Sequence, residues 1–296
     1  MMTVLVTGGA GFIGSHVVDL LIDNGYNVVI VDNLSSGNNK NLNKKAIFYE
    51  ADTTSDNLDE IFRKHNISYV FHFAAQVSVA SSLKFPDIDA TQNIVGSIKI
   101  LKLCKKYGIK KIILSSTAAV YGKPEYLPVD EAHSLECLSC YGLSKYTMEQ
   151  YTKLLDVNHI IFRFANVYGP RQTAHGEAGV VAIFADKMRK NEQITIDDDG
   201  EQTRDFVYVE DVAKACLAAI QNNITNTIIN VSTARPTTIN ELFNIMSRLF
   251  NYKLEPIHGQ KRVGDIRHSY LCNKRCIEKL QFTPSVTLEV GLKNLV

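Results

Sequence analysis

A tyrosine and a lysine four residues apart, Tyr141 and Lys145, have the spacing of an acid–base pair. Residues at positions i and i+4 of a helix lie on one face, and the apolar periodicity of residues 141–155 predicts a helix. A lysine charge beside a phenol favours the phenolate and lowers the pKa of the tyrosine. We therefore expect Tyr141 to act as a base near neutral pH, although this spacing is also common in surface pairs.

Three hydroxyl residues end a predicted strand upstream of this pair. Ser115, Ser116 and Thr117 follow the apolar run that starts at Lys111. Hydroxyl groups at the carboxyl end of a parallel strand point into the crevice in which ligands bind. The sequence therefore predicts that these hydroxyls and Tyr141 belong to one site.

A glycine-rich turn lies near the amino terminus, between a predicted strand and a predicted helix. The segment reads Thr7-Gly8-Gly9-Ala10-Gly11-Phe12-Ile13-Gly14. Glycine allows a tight turn and lets the backbone approach a pyrophosphate, while the helix presents free N–H groups to the phosphate charge. Asp32 ends the next strand, 18 residues after Gly14. A carboxylate there accepts hydrogen bonds from ribose and repels a 2′-phosphate, which favours NAD over NADP.

The elements that must position these residues alternate between short apolar runs and amphipathic stretches, the pattern of a doubly wound α/β fold with a parallel Rossmann sheet. The predicted strands span residues 4–6, 28–31, 46–49, 69–73, 111–115 and 160–164. The predicted helices span residues 12–23, 58–65, 87–107, 141–155, 180–190, 210–221 and 238–250. Segments 197–201 and 257–265 contain glycine and clustered charges, which are typical of loops.

The second half of the chain is less regular than the first, and it predicts a smaller α/β lobe over the sheet. We expect residues 1–166 to form the NAD-binding domain, to which part of 204–232 returns. Residues 167–203 and 233–296 are expected to form the substrate lobe.

Composition and charge exclude several classes of partner. The 32 Lys and Arg residues balance 31 Asp and Glu residues, giving a formal charge of +1 without runs of like charge. A general nucleic-acid or membrane surface is therefore not expected. No apolar run reaches the roughly 18 residues of a membrane span, and the apolar start lacks a basic segment typical of a signal peptide. The six scattered cysteines predict reduced thiols in the cytoplasm.

Two cysteine pairs and one histidine have residue types that could form further sites. Cys137 and Cys140 have redox or zinc spacing, and Cys272 and Cys276 could complete four ligands. Because the pairs are far apart in sequence and the second has helical spacing, we expect no metal site. His175, in a predicted loop of the substrate lobe, could contact ligand or serve a structural role.

The motifs together resemble the extended short-chain dehydrogenase/reductase family, and within it the UDP-glucose 4-epimerase branch. The resemblance extends over nearly the whole chain. Its features are the Gly8/Gly11/Gly14 turn, Asp32-Asn33, Asp52, His72-Phe73-Ala74-Ala75, Asn93-x-x-Gly96, Leu114-Ser115-Ser116-Thr117, Val120-Tyr121-Gly122, Tyr141-x-x-x-Lys145, Asn166-x-Tyr168-Gly169-Pro170-Arg171, Arg204-Asp205-Phe206 and Arg262-x-Gly264-Asp265.

This resemblance implies NAD as cofactor, a UDP-sugar as substrate, and a homodimer formed through exposed apolar helix faces. It implies catalytic roles for Thr117, Tyr141 and Lys145. The implied cofactor contacts are Gly8, Gly11, Phe12, Ile13, Gly14, Asp32, Asn33, Asp52, Thr53, Phe73, Ala74, Ala75, Asn93, Ser115, Tyr141 and Lys145. The implied substrate contacts are Thr117, Asn166, Val180, Val181, Arg204, Arg262, Asp265 and Ser269. Arginine suits a diphosphate because its guanidinium offers fixed, forked donors.

Three reactions of nucleotide sugars begin with oxidation at C4 on such a scaffold. The 4,6-dehydratases carry Asp-Glu directly after the active-site Thr, whereas this chain has Ala118 and Ala119, which cannot exchange protons. A decarboxylase needs a site for a C6 carboxylate, and none is identified. We therefore expect 4-epimerisation. Another NAD-dependent nucleotide-sugar enzyme, such as a uronate epimerase or decarboxylase, and a non-catalytic NAD sensor stay open as alternatives.

The family pattern also places Ser269 beside the C2 substituent of the sugar. A tyrosine in that place fills the volume that an N-acetyl group needs, and a packed pocket cannot yield that space without strain. Serine leaves room, so we expect the acetylated hexosamine pair to be accepted alongside the hexose pair. The alternative is a loop residue that contacts no ligand.

Overall fold

A seven-stranded sheet forms the centre of the molecule. The computed structural model describes residues 1–55, 58–174, 179–261 and 265–296. The strands of this sheet are β1 (Thr3–Thr7), β2 (Asn27–Asp32), β3 (Ile47–Glu50), β4 (Ile67–His72), β5 (Lys111–Thr117), β6 (His159–Phe164) and β10 (Thr227–Val231). They run parallel in the spatial order β10-β6-β5-β4-β1-β2-β3. The predicted doubly wound α/β fold is confirmed.

Helices cover both faces of this sheet because its strands are apolar on both sides. On one face lie α1 (Phe12–Asp23), α8 (Val209–Gln221) and α10 (Lys274–Leu280), and on the other lie α2 (Leu58–His65), α5 (Gly96–Lys106) and α6 (Cys140–Leu154). Successive side chains of a strand point to opposite faces, so Val4 and Val6 pack toward α1 and Leu5 packs toward α2. Complete burial of each such side chain contributes roughly 1.5–3 kcal/mol.

The predicted helix over residues 87–107 is divided in the structure. It consists of α4 (Pro86–Ala90), a π-helical turn at Thr91–Val95, and α5. A further short helix, α3 (Val79–Lys84), precedes it and was not predicted. Such wide helical turns occur frequently at functional sites, and this one carries Asn93.

The second half builds a smaller lobe around its own apolar core. A three-stranded sheet has the order β11 (Pro236–Thr238), β9 (Thr203–Tyr208) and β7 (Asn166–Tyr168), and β8 (Thr195–Asp197) pairs with β12 (Ile257–Gly259). The lobe helices are α7 (Val180–Arg189), α9 (Ile239–Leu249) and α11 (Leu288–Lys293). The loops predicted at 197–201 and 257–265 are corrected in part, because each contributes to the β8–β12 pair. Strands of three residues are too short to produce a visible periodicity.

The carboxyl ends of the central strands meet at one edge. The glycine turn follows β1, Asp32 ends β2, Phe73 follows β4 and Thr117 ends β5. The chain reverses its direction of winding between β1 and β4, and ligands of open α/β sheets bind in the crevice at this point. Within the described ranges, the structure contains no helix that is long and apolar enough to cross a membrane.

Candidate active site

The glycine turn after β1 leaves its backbone open at the crevice. Gly8 has φ +71°, and a Cβ there would lie 2.6 Å from the backbone N of Ala74. A Cβ on Gly14 would press against the carbonyl oxygen of Gly8. Helix α1 then begins at Phe12 without a side-chain cap. Free N–H groups of Phe12, Ile13 and Gly14 at a helix start suit a phosphate, so this cradle fits the pyrophosphate of a dinucleotide.

Asp32 fastens this turn to the loop that follows β2. Its buried carboxylate accepts hydrogen bonds from the N–H groups of Ala10 at 2.9 Å and Leu34 at 2.8 Å. These bonds hold a negative charge beside the glycine turn, at the position where the ribose of a dinucleotide is expected. The arrangement favours a ribose that carries a free 2′-hydroxyl.

Asp52 and Asn33 form a second polar group next to Asp32. Asn33 donates to Asp52 Oδ2 at 2.7 Å, and the Thr54 N–H donates to Asp52 Oδ1 at 2.8 Å. Burial opposes ionisation of Asp52, but hydrogen bonds from Thr54, Asn33 and Gln92 outweigh it and lower the pKa of this carboxyl. Thr53 is buried against Gly96, where a Cβ would lie 2.7 Å from Thr53 Oγ1.

A buried histidine links the glycine strand to Asn93. The hydroxyl of Thr7 lies 2.7 Å from His72 Nδ1, and His72 Nε2 lies 2.9 Å from Ser97 Oγ. Since Ser97 donates its own proton to the carbonyl of Asn93 at 2.5 Å, His72 Nε2–H donates to Ser97 and Nδ1 accepts from Thr7. Burial lowers the pKa of His72 to about 3, so this imidazole stays neutral. Phe73, Ala74 and Ala75 follow it and are partly exposed at the crevice.

The side chain of Asn93 is held by several partners. Its Oδ1 accepts from the N–H of Gln76 at 2.8 Å, and its Nδ2 lies 3.0 Å from the carbonyl of Gln76. The same Nδ2 lies 3.0 Å from Asp89 Oδ1 and 3.1 Å from Ser144 Oγ. Because Ser144 is on α6, Asn93 joins the π-helical turn to the helix that carries Tyr141.

Tyr141, Thr117 and Lys145 come together as predicted. Ser139 caps the start of α6 by accepting from the N–H of Gly142 at 3.0 Å, and the N–H of Tyr141 donates to Ser82 Oγ at 3.0 Å. The side chain of Thr117 faces the phenol of Tyr141 and lowers its pKa, against the larger effect of burial. Lys145 is buried, and its Nζ donates to the carbonyl of Ser115 at 3.0 Å.

The charge state of this pair differs from the sequence prediction. Burial raises the pKa of Tyr141 to about 12 and lowers the pKa of Lys145 to about 8. The expectation that Tyr141 is a base near neutral pH is thus wrong for the protein by itself. The reason is desolvation, which opposes both the phenolate and the ammonium.

Arg204 and Asp265 meet across the lobe. Arg204 Nη2 lies 2.5 Å from Asp265 Oδ1, and its Nη1 donates to the carbonyls of Thr203 at 2.8 Å and Ile266 at 2.7 Å. These contacts fix the guanidinium in a partly buried position before any ligand arrives. Arg262 and His175 lie outside the described residues.

Three of the other predicted substrate residues share one small pocket. Asn166, Val180 and Val181 line it together with Gln172, Gly179 and Phe206. The side chain of Val181 is buried in the core of the lobe, whereas Val180 and Asn166 are more exposed. The pocket is therefore reached from the side of Asn166 and Val180.

Ser269 lies on a strap that joins the lobe to the crevice. Its N–H donates to the carbonyl of Thr203 at 3.1 Å, and the next carbonyl, of Tyr270, accepts from the N–H of Val129 at 3.0 Å. The residue is half-buried. The strap thus holds Ser269 between β9 and the loop that leads into α6.

Asp89, Gln76 and Ser82 also support the site, although the sequence motifs did not single them out. Asp89 and Asn93 are four residues apart on a helical segment, and this spacing was the available signal. Within the apolar pattern of residues 87–107, this spacing predicts an ordinary core helix. All six cysteines are free thiols, and among the residues that the structure describes no group of three or more His, Cys, Asp or Glu could hold a metal ion.

Residues 4–232 match the pattern that defines a family described as the NAD dependent epimerase/dehydratase family. A crystal structure of UDP-glucose 4-epimerase with UDP-glucose, from Thermotoga maritima, is 46% identical with a TM-score of 0.97, covering 99% of this chain and 97% of that one. The UDP-glucose 4-epimerase of Mycolicibacterium smegmatis is 38% identical over 100% of this chain and 97% of its own.

A structure of UDP-N-acetylglucosamine 4-epimerase from Methanobrevibacter ruminantium, in complex with UDP-N-acetylmuramic acid, is also similar. It is 36% identical with a TM-score of 0.95, covering 99% of this chain and 96% of that one. These similarities confirm the predicted family and NAD as the cofactor, whose pyrophosphate the glycine cradle fits. The chain belongs to the NAD dependent epimerase/dehydratase family, and it is an enzyme that uses NAD.

Proposed function

We propose that this enzyme inverts C4 of a UDP-hexose through a transient 4-keto sugar. It interconverts UDP-glucose with UDP-galactose and UDP-N-acetylglucosamine with UDP-N-acetylgalactosamine. One observation carries the proposal: the strand end that carries Thr117 meets the helix of Tyr141 and Lys145, whose Nζ donates to the Ser115 carbonyl, while the next positions, Ala118 and Ala119, provide no acid or base for dehydration. The similar proteins named as 4-epimerases of UDP-glucose and UDP-N-acetylglucosamine support it.

Tyr141 moves the proton in this scheme. It accepts the proton of the sugar 4-hydroxyl and later returns it to the keto oxygen, while bound NAD supplies the hydride acceptor and donor for C4. A pKa of about 12 keeps the phenol protonated at neutral pH, so the base form must be favoured by nearby positive charge. Lys145, with a pKa of about 8, is mostly charged at neutral pH and supplies such charge from the same helix. Thr117 positions the phenol.

The NAD-binding domain in this proposal consists of residues 1–166 together with part of 204–232, and the other segments form the substrate lobe. The glycine turn contacts the pyrophosphate of NAD. Asp32 and Asn33 contact the adenosine ribose, and Asp52 and Thr53 lie beside the adenine. Further contacts come from Phe73, Ala74, Ala75, Asn93, Ser115, Tyr141 and Lys145.

The substrate lobe holds the UDP moiety, which keeps the keto sugar bound while it turns its other face to the hydride. Arg204 and Arg262 bind the diphosphate, with Asn166 and Asp265 as further polar contacts. Val180 and Val181 lie against the uracil. The pocket that Asn166 shares with both valines supports this assignment, as does the fixed guanidinium of Arg204.

The direct test of this function is a panel of UDP-sugars incubated with purified enzyme and resolved by NMR. We expect each hexose and each acetylated hexosamine to reach a mixture of its two C4 epimers. Tyr141→Phe should lose about 10²–10⁴-fold in turnover but keep its NAD, because only the ionisable hydroxyl is removed. Conversion of UDP-glucuronate alone, release of carbon dioxide from it, or a Tyr141→Phe variant within a few-fold of the wild type would contradict the proposal.

Ser269 sets the breadth of the substrate range. A tyrosine there would occupy the space proposed for the N-acetyl group, so Ser269→Tyr should abolish kcat/KM for the acetylated pair and preserve it for the hexose pair. His268→Tyr places the same phenol at the neighbouring, exposed position and serves as the matched control. Equal impairment of all four substrates by Ser269→Tyr would show that this residue does not face the C2 substituent.

We also propose a homodimer that works in the cytoplasm, where its six free thiols stay reduced. Leu143, Tyr151 and Leu154 of α6 are exposed on one side of the helix, and a second copy would bury them. Leu143→Glu should shift the sedimenting species toward monomer, whereas Val290→Glu, at an exposed apolar residue of α11, should not. A monomeric wild-type enzyme would refute the dimer.

A further inference from the structure

Asp89 is a buried carboxylate beside the proposed catalytic pair. It lies on the short helix α4 and is 1% exposed. Its Oδ1 accepts from Gln76 Nε2 at 2.9 Å and from Asn93 Nδ2 at 3.0 Å. Both donors are neutral amides, which satisfy hydrogen bonds but do not neutralise the charge. A buried carboxylate of this kind is expensive unless a positive charge lies near it.

The positive charge near Asp89 is Lys145. This lysine is buried at 4% exposure, and its Nζ donates to a neutral carbonyl, that of Ser115. The charge of Asp89 offsets part of the drop that burial causes in the pKa of Lys145. It also adds to the rise that burial causes in the pKa of Tyr141. The anion and the cation therefore share one desolvated site, each with neutral hydrogen-bond partners.

The carboxylate of Glu149, one turn further along α6 than Lys145, is paired with Arg163 and does not compete with Asp89 for Lys145. Strand β4 contributes His72, whose pKa near 3 leaves it neutral, and β5 contributes the Ser115 carbonyl. Helix α6 contributes Tyr141, whose pKa near 12 leaves it protonated. Asp89 on α4 is thus the carboxylate near Lys145 whose side-chain donors are neutral amides.

We propose that Asp89 is a positioning residue of this active site, which keeps the Lys145 ammonium charged inside the protein and holds the Asn93 amide in place. The geometric part acts through Asn93, whose Nδ2 also reaches Ser144 Oγ on α6. The electrostatic part acts through the desolvated space between α4 and α6. The proposal rests on the proposed function only in taking Tyr141 and Lys145 as the catalytic pair.

Asp89→Asn separates the two parts of this role. Asparagine keeps an oxygen that can accept from Gln76 and Asn93, so it removes the charge and preserves the hydrogen bonds. Without that charge both Lys145 and Tyr141 should titrate at lower pH. We expect the two limbs of the kcat–pH profile to move to lower pH by roughly 1 unit. If Asp89 only held Asn93, both limbs would stay in place, because Asp89→Asn preserves that hydrogen bond.

A second readout does not depend on turnover. In holoenzyme labelled with ¹³C at the lysine ε-carbon, the signal missing from Lys145→Arg identifies Lys145. In Asp89→Asn this signal should titrate roughly 1 pH unit lower than in the wild type. If Lys145 titrates at the same pH in both proteins, the proposal is overturned, whatever the UDP-sugar panel shows. Failure of the proposed function would instead appear as an active Tyr141→Phe variant.

Asp87 provides the matched control because it lies on the same helix and is exposed. Asp87→Asn removes one charge from α4 and should leave both the kcat–pH profile and the Lys145 titration unchanged. If Asp89→Asn does not fold, the NMR titration is carried out on Asp89→Ser, which removes the same charge. An equal shift in Asp87→Asn and Asp89→Asn would indicate a general charge effect and would refute the assignment to Asp89.

Discussion

Removal of the Glu149 carboxylate should lower the free energy of unfolding more than removal of an exposed ion pair does. The reason is that this carboxylate lies at the centre of a buried network. It is 0% exposed and accepts from Arg163 Nε at 3.0 Å, from Arg163 Nη2 at 2.6 Å, and from Ser116 Oγ at 2.5 Å. Glu149 is on α6 and Ser116 precedes Thr117 on β5. The network therefore supports the helix and the strand that carry the proposed catalytic residues.

The expected loss of stability follows from the buried charge of Arg163, which Glu149→Leu leaves unpaired. Arg163 is 2% exposed and stacks over the ring of Tyr121 at 4.7 Å, so its charge cannot reach water when the carboxylate is gone. An uncompensated buried charge costs about 3–5 kcal/mol, which is a large part of the roughly 5–15 kcal/mol that stabilises a typical protein. The double variant Glu149→Leu with Arg163→Met replaces both charges. It should recover most of the lost stability, because apolar residues can fill the site.

The assay is the free energy of unfolding from urea titrations followed by circular dichroism. The control is Asp59→Asn, which removes the exposed pair between Asp59 and Lys106 at 2.6 Å and should leave the free energy of unfolding unchanged. The reasoning is refuted if Glu149→Leu is as stable as the wild type, or if the double variant is as unstable as Glu149→Leu.

Three further predictions concern the cofactor, the buried histidine and the hydroxyl beside Tyr141. The wild-type apoenzyme should bind NAD more tightly than NADP by calorimetry, and Asp32→Asn should narrow the difference, since the Asp32 charge repels a 2′-phosphate; equal binding of both cofactors to the wild type would contradict this. Burial lowers the pKa of His72 to about 3, so the unfolded chain binds a proton between pH 6.5 and 3 that the folded protein does not, and stability falls as the pH drops through this window. His72→Phe should reduce that slope by up to about 1.4 kcal/mol per pH unit, measured by urea unfolding between pH 7 and pH 5, and an unchanged slope would show that His72 becomes protonated in the folded state. Thr117→Val should lower kcat less than Tyr141→Phe, because water can replace part of a positioning hydroxyl; a larger loss in steady-state assays would indicate that Thr117 itself transfers the proton.

The sequence by itself determined the strand–helix order of the first half and singled out a candidate site. Predicted helices at residues 12–23 and 58–65 agree with α1 and α2, because their apolar positions recur with the helical period and local signals mark their ends. The glycine turn and Asp32 were also visible, since turn geometry depends on residue types within a few positions. Tyr141, Lys145 and Thr117 could be found because their spacing and strand-end position are local properties.

Only the tertiary structure decided the lobe strands and the electrostatics of the site. Strands of three residues such as β8 and β12 form because partners 62 positions away pair with them, and no local period records such pairing. Arg204 meets Asp265 across 61 residues. The pKa of Tyr141 rises rather than falls because desolvation depends on what packs around it, and Asp89 becomes important for the same reason. Burial is a property of the assembled fold, so a carboxylate on a short helix is ordinary in sequence and decisive only once α4 packs against α6.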